Sequence, residues 1–315
     1  MATNLAVDHG TTRPYDLAVW MQAGRVKSLA ISSIAVFAGA AAAAYDGYWS
    51  WRIVLAWLGS VAIQAGTNLV NVYHNYKANA DPASRFKSDP RGSSAVIARG
   101  LLTPKQVRAG ALACLALGVA CGLLLVALCG WPILAVGIPA VAAGYFYAAP
   151  PIRLAYRGLG VTTVFVFLGP VMVGGAYFVA ALHVSAGAAA VAVAVGLTAA
   201  GIMHINDVRD YESDVAHGKR TLATLLGRDG ASRALVAMDA GAYAAVLAGA
   251  ALGALPWTAL LALLTVPTAL AEARMVSRER EFGRLNQAWF KGIELHARFG
   301  VLLVVGVVVG KVLGI

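Results

Sequence analysis

Nine times along this sequence the chain runs for about 20 residues with scarcely a charge, the length at which an α-helix crosses a hydrocarbon core. The stretches fall at about 28–46, 52–75, 106–129, 131–149, 158–182, 185–207, 231–254, 255–274 and 294–314. Composition agrees, because 59% of the 315 residues are hydrophobic and only 13% are charged. Soluble domains carry about a quarter charged residues. The expected fold is all-α: a polytopic membrane protein with nine transmembrane helices in one bundle, residues 1–315 forming a single domain.

The cations give the orientation. Of the 25 Lys and Arg residues, 23 sit before the first stretch or on alternate connections, and only Arg52 and Lys311 fall on the other side. Basic loops stay inside, so the chain is expected in the cell (inner) membrane with its N-terminus cytoplasmic and its C-terminus outside. Loops facing anionic lipid account for the net charge of +10, and nucleic acid is not an expected partner. Cys114, Cys121 and Cys129 share one apolar stretch without a CxxC spacing, so they read as small packing residues. Residues 1–20 carry Asp8, Arg13 and Asp16 and lack the apolar core of a cleavable signal, so the first spanning helix is expected to remain as an anchor.

Two cytoplasmic connections are long and polar, about 76–105 and 208–230. Each follows a helix whose end turns polar. Aligning Asn71 with Asn206 puts Asn75 on Asp210 and Asn79 on Asp214, a register that suggests repeated four-helix units over about 28–149 and 158–274 with a ninth helix added at about 294–314.

Asp207, Asp210 and Asp214 recur at i, i+3 and i+7, a spacing that puts three carboxylates on one helical face. Such a row needs cations, and hard oxygen ligands suit Mg²⁺ bridging to phosphates. Lys219 and Arg220 follow closely, with charge for phosphate oxygens. The pattern reads as a Mg²⁺–diphosphate site; the alternative is a solvated loop helix. Asn68, Asn71 and Asn75 repeat the spacing with neutral amides, which implies a polar cavity or interhelical hydrogen bonding.

These motifs carry a resemblance. The run Asn206-Asp207-x-x-Asp210-x-x-x-Asp214-x-x-x-Gly218-Lys219-Arg220-Thr221-Leu222 resembles the second motif of the UbiA superfamily of intramembrane prenyltransferases. Tyr156-Arg157-Gly158-Leu159-Gly160, Arg99-Gly100-x-Leu102-Thr103-Pro104 and Ala23-Gly24-Arg25-x-Lys27-Ser28 are similar to the branch that prenylates 1,4-dihydroxy-2-naphthoate. The resemblance implies a central cavity and an isoprenyl diphosphate whose tail lies in an apolar tunnel open to membrane lipid. It implies Mg²⁺ on Asp207, Asp210 and Asp214, with Asn75 and Asp81 from the first motif. It places the diphosphate among Asn68, Asn71, Asn75, Lys77, Asn79, Asp81, Arg153, Tyr156, Arg157, Asn206, Lys219 and Arg220, with Arg85 or Arg91 nearby.

The first motif departs from the family, whose two carboxylates are Val72 and Asn75 here; the acidic residue after Gly-Leu-Gly is Val161. A weakened or missing metal near the first motif follows. The expected activity is prenyl transfer to an aromatic acceptor. The alternatives are a terpene cyclase on the same scaffold and a prenyl-lipid-binding member without catalysis.

Overall fold

The computed structural model describes residues 16–80 and 94–315. In chain order its helices are α1 (Leu17–Ala23), α2 (Val26–Tyr45), α3 (Arg52–Ala80), α4 (Ala95–Ala98), α5 (Pro104–Cys129) and α6 (Pro132–Phe146). There follow α7 (Gly160–Val166), a π-helical turn (Phe167–Val171) and α8 (Met172–Ala181). The remainder comprises α9 (Ala186–Arg209), α10 (Tyr211–Ala216), α11 (Leu222–Ala251), a 3₁₀ stretch (Trp257–Thr265), α12 (Val266–Arg278) and α13 (Phe282–Leu313).

Among the described residues, eight helical segments are long and apolar enough to cross a membrane, and α6 is a ninth, shorter one. Its 15 residues rise about 22 Å, less than the ~30 Å of a hydrocarbon core. The expected nine crossings are therefore eight full-length segments and one short one. α13 also begins at Phe282, well before the expected start near 294. Its first turns carry Asn286 beside Trp289 and Phe290, a mixed face that hydropathy alone passes over.

Local signals place the helix starts. Thr103 and Gln106 form a reciprocal capping box around Pro104 at the start of α5, and Thr221 with Thr224 does the same for α11. Each satisfies N–H groups that would otherwise be orphaned near lipid.

α9 is the central post, with 67% of its apolar window buried against 22% for α5. Small residues let its neighbours approach. A Cβ on Gly169 would lie 2.8 Å from the Cα of Gly196, so the π-helical turn crosses α9 backbone to backbone. Polar ties then fix its depth: Thr198 Oγ1 lies 2.8 Å from His296 Nδ1 on α13, and His204 Nε2 lies 2.7 Å from the carbonyl of Ala231 on α11. The C-terminal half of α9 is thus tied to both neighbours, and the Asp-bearing motif sits at its end.

Candidate active site

A cavity of about 1350 Å³ opens between the C-terminal ends of α3 and α9 and continues into the bundle. Leu55, Val126, Ile133 and Val179 line its inner part, while Asn68, Asn71, Asn75, Asn206, Asp210 and Lys219 line its mouth. Tyr156 also faces it. Asp207 and Asp214 are buried behind the wall, at 2% and 4% exposure. Lys77, Asn79, Arg153, Arg157 and Arg220 do not line the cavity. Asp81, Arg85 and Arg91 lie outside the described residues.

The α3 wall is neutral and already bonded. Asn68 Nδ2 donates to the Gly24 carbonyl and to Ser28 Oγ, both at 2.8 Å. Asn75 Nδ2 donates to Asn71 Oδ1 at 2.7 Å, and the Tyr156 hydroxyl donates to Asn75 Oδ1 at 3.0 Å. Asn75, expected as a metal ligand, has its carbonyl oxygen engaged by a phenol. Val72 is fully buried and packs with Leu69, Val70, Val96 and Ile97. It is a core residue, and the first wall offers no carboxylate from α3.

The second wall is charged but not a continuous helical face. α9 ends at Arg209, and Asp210 takes φ −90°, ψ 6° before α10 begins. The break reorients Asp210 relative to Asp207 and lets a neighbour reach it. Arg209 Nε lies 2.8 Å from Asp210 Oδ1 and Nη2 lies 3.0 Å from Oδ2. On the other side, Lys219 Nζ bonds Asp214 Oδ2 at 2.9 Å and lies 5.5 Å from the centre of the Tyr156 ring. Asp207 Oδ1 is buried and accepts no hydrogen bond.

The loops bearing these groups are stitched together: the Gly158 amide donates to the Arg220 carbonyl at 2.8 Å, which sets Tyr156 against Lys219. Arg153 and Arg25, at φ 53° and 51°, hold left-handed conformations that side chains rarely adopt. Strain of that kind persists where surrounding structure enforces it, often at a site.

Electrostatics follow from burial. Burial raises the Asp214 carboxyl above its ordinary range, and Lys219 pulls it partly back. Burial alone would lower the Lys219 ammonium, but Asp207 and Asp214 outweigh it and push it up to about 12. Tyr156 is raised, chiefly by burial, so it stays a hydroxyl donor. Burial, then Arg209, lowers Arg25.

Mg²⁺ fits this wall only in part. The orphaned oxygen of Asp207 is a ready ligand, but Asp210 and Asp214 each hold a protein cation. No group of three or more acidic, His or Cys side chains is gathered as a metal site among the described residues.

Several lining residues had no sequence signal of their own. Phe282, Asn286 and Trp289 reach the cavity because α13 starts early, and there they meet Arg209 at the end of α9. Arg25 stood in a recognised motif without an assigned role.

Residues 32–294 match the UbiA prenyltransferase family. Over 265 residues the chain is 33% identical to 1,4-dihydroxy-2-naphthoate octaprenyltransferase of Mycobacterium tuberculosis, covering 84% of this chain and 87% of that protein. The fold is similar to a UbiA homologue from Aeropyrum pernix K1 in its apo form, at TM-score 0.67 and 21% identity over 89% of this chain and 98% of the other. It is also similar to a UbiA homologue from Archaeoglobus fulgidus bound to DMAPP and Mg²⁺, at TM-score 0.59 and 15% identity over 90% and 98%.

Proposed function

Because this chain belongs to the UbiA prenyltransferase family, a family of membrane enzymes, we propose that it transfers an isoprenyl group from its diphosphate to an aromatic, naphthoate-like acceptor. The observation that carries the reading is one cavity with a charged mouth and an apolar interior. That shape suits an amphiphile with an anionic head and a hydrocarbon tail.

In this reading the tail lies along Leu55, Val126 and Ile133, in reach of membrane lipid, and the diphosphate sits at the mouth. Asp207, Asp210 and Asp214 would hold Mg²⁺, with Asn75 opposite; when bound, it offsets the charge of the leaving diphosphate. Lys219 keeps its proton and presents a permanent cation at the same place. The Asn71–Asn75–Tyr156 network orients the head by hydrogen bonds without adding charge. The allylic C–O bond breaks, diphosphate departs with the electron pair, and the acceptor's ring carbon forms the new C–C bond and then loses its proton. The mouth faces the cytoplasm, with the N-terminus inside, in keeping with the segregation of basic residues.

The test is product identification. The purified protein in lipid nanodiscs, given isoprenyl diphosphates of several lengths, Mg²⁺ and 1,4-dihydroxy-2-naphthoate, should yield the prenylated aromatic compound. Cyclic terpenes formed equally well without acceptor would replace this reading with a cyclase.

A further inference from the structure

Within the cavity wall, one guanidinium is built like a receptor for a carboxylate. Arg209 grips Asp210 with two prongs, Nε at 2.8 Å and Nη2 at 3.0 Å. Its remaining reach is ordered by Asn206 Oδ1, 2.8 Å from Nη2, and Asn286 Oδ1, 3.1 Å from Nη1. The rings of Phe282 and Trp289 lie 5.3 and 5.6 Å from the guanidinium carbon. All six residues line the cavity. A two-pronged hold is the geometry by which arginine selects carboxylates, and flanking rings present faces on which a flat aromatic body can lie.

We propose that Arg209 recognises the carboxylate of the aromatic acceptor, and that Asp210 holds its place until a divalent cation takes Asp210. The inference rests on the transferase reading above, in which Asp210 is a cation ligand. One fork holds one carboxylate in this manner, so a cation on Asp210 weakens the internal pair and releases the fork. Asn206 and Asn286 keep the freed guanidinium aimed into the cavity. The diphosphate is the poorer match for this corner, because Phe282 and Trp289 donate no hydrogen bonds to phosphate oxygens through their ring faces. Acceptor binding thereby becomes contingent on the metal, an order in which the cation precedes the acceptor.

The probes are 1-hydroxy-2-naphthoate and 1-naphthol, which share a ring system and differ in the carboxylate. Binding to the full chain in nanodiscs is measured by calorimetry without prenyl diphosphate, with and without Mg²⁺. The parent should favour the naphthoate about tenfold or more, only with Mg²⁺ present. Arg209→Gln should abolish that preference and Arg209→Lys restore part of it, while the KM for isoprenyl diphosphate at saturating Mg²⁺ stays unchanged. Asp210→Asn, which removes the internal competitor, should bind the naphthoate without Mg²⁺, and this arm stands even if the Gln variant misfolds. Retained preference in Arg209→Gln, a change confined to diphosphate KM, no preference in the parent, or no Mg²⁺-independent binding in Asp210→Asn would overturn the proposal. A parent that binds the naphthoate as expected but never prenylates it would instead overturn the transferase reading.

Discussion

The Tyr156 hydroxyl donates to the side-chain carbonyl of Asn75 at 3.0 Å, joining the loop after α6 to the polar end of α3. The same ring lies 5.5 Å from the Lys219 ammonium. One tyrosine therefore connects the neutral wall of the cavity to the charged one. Tyr156→Phe should cost about 1 kcal/mol in stability, the usual size of one net hydrogen bond. A larger effect is expected on turnover, about tenfold, because Asn75 then loses its orientation. Thermal denaturation and steady-state rates measured on one preparation separate the two; equal rates would remove Asn75 from the diphosphate site.

Val72 and Asn75 occupy the family's carboxylate positions but lie in different surroundings. Asn75 lines the cavity, whereas Val72 is sealed among Leu69, Val70, Val96 and Ile97. Val72→Asp should therefore misfold or melt far below the parent, since a lone buried carboxylate is strongly disfavoured. Asn75→Asp should fold and shift the Mg²⁺ dependence of the rate. A well-folded Val72→Asp protein with altered metal dependence would place that side chain in the cavity after all.

Lys219 neutralises Asp214 in a pair whose side chains are 13% and 5% exposed. Lys219→Met leaves that carboxylate buried alone, and breaking such a pair costs about 3–5 kcal/mol. The sign with pH is fixed by the shifts. The Lys219 ammonium rises from 10.5 to about 12, so its contribution is complete below pH 10.5 and fades as pH climbs through 12. Asp214 is also raised, so acid protonates it and relieves the variant's deficit. Parent and variant should differ most near neutral pH and converge at both extremes. A deficit independent of pH would mean the loss is one of packing.

The proposed orientation rests on charge segregation and has a direct check. Single cysteines at Val184 and His217, both exposed, should label from opposite sides of sealed cells, with Val184 outside. Labelling of both from outside would contradict the assigned orientation.

Much of the architecture is legible in sequence because lipid imposes one dominant rule, a helix of about 20 apolar residues per crossing. That rule locates α2, α3, α5, α9 and the composite segment through α7 and α8 within a few residues. It fails where polarity and span diverge. α6 is apolar yet short, and the start of α13 is helical yet mixed in polarity. The candidate site shows the same division. Asp207, Asp210 and Asp214 stand out by spacing, but spacing shows neither the helix break at Asp210 nor the Arg209 clasp, whose guanidinium is also held by Asn286 of α13. Motif register aligns Val72 with a family carboxylate, and only packing reveals that it belongs to the core.

The central claim is that the Asp-bearing end of α9 ionises a prenyl diphosphate for transfer to an acceptor. Diphosphate release from the protein in nanodiscs, followed with and without 1,4-dihydroxy-2-naphthoate, tests it most directly. The account predicts release that depends on the acceptor and matches prenylated product one for one. Asp207→Asn, which alters the orphaned buried carboxylate, should lower it about 10²–10³-fold, the size of effect seen when one electrostatic element of such a site is lost. Release at the same rate without acceptor, or an Asp207→Asn protein as active as the parent, would contradict it.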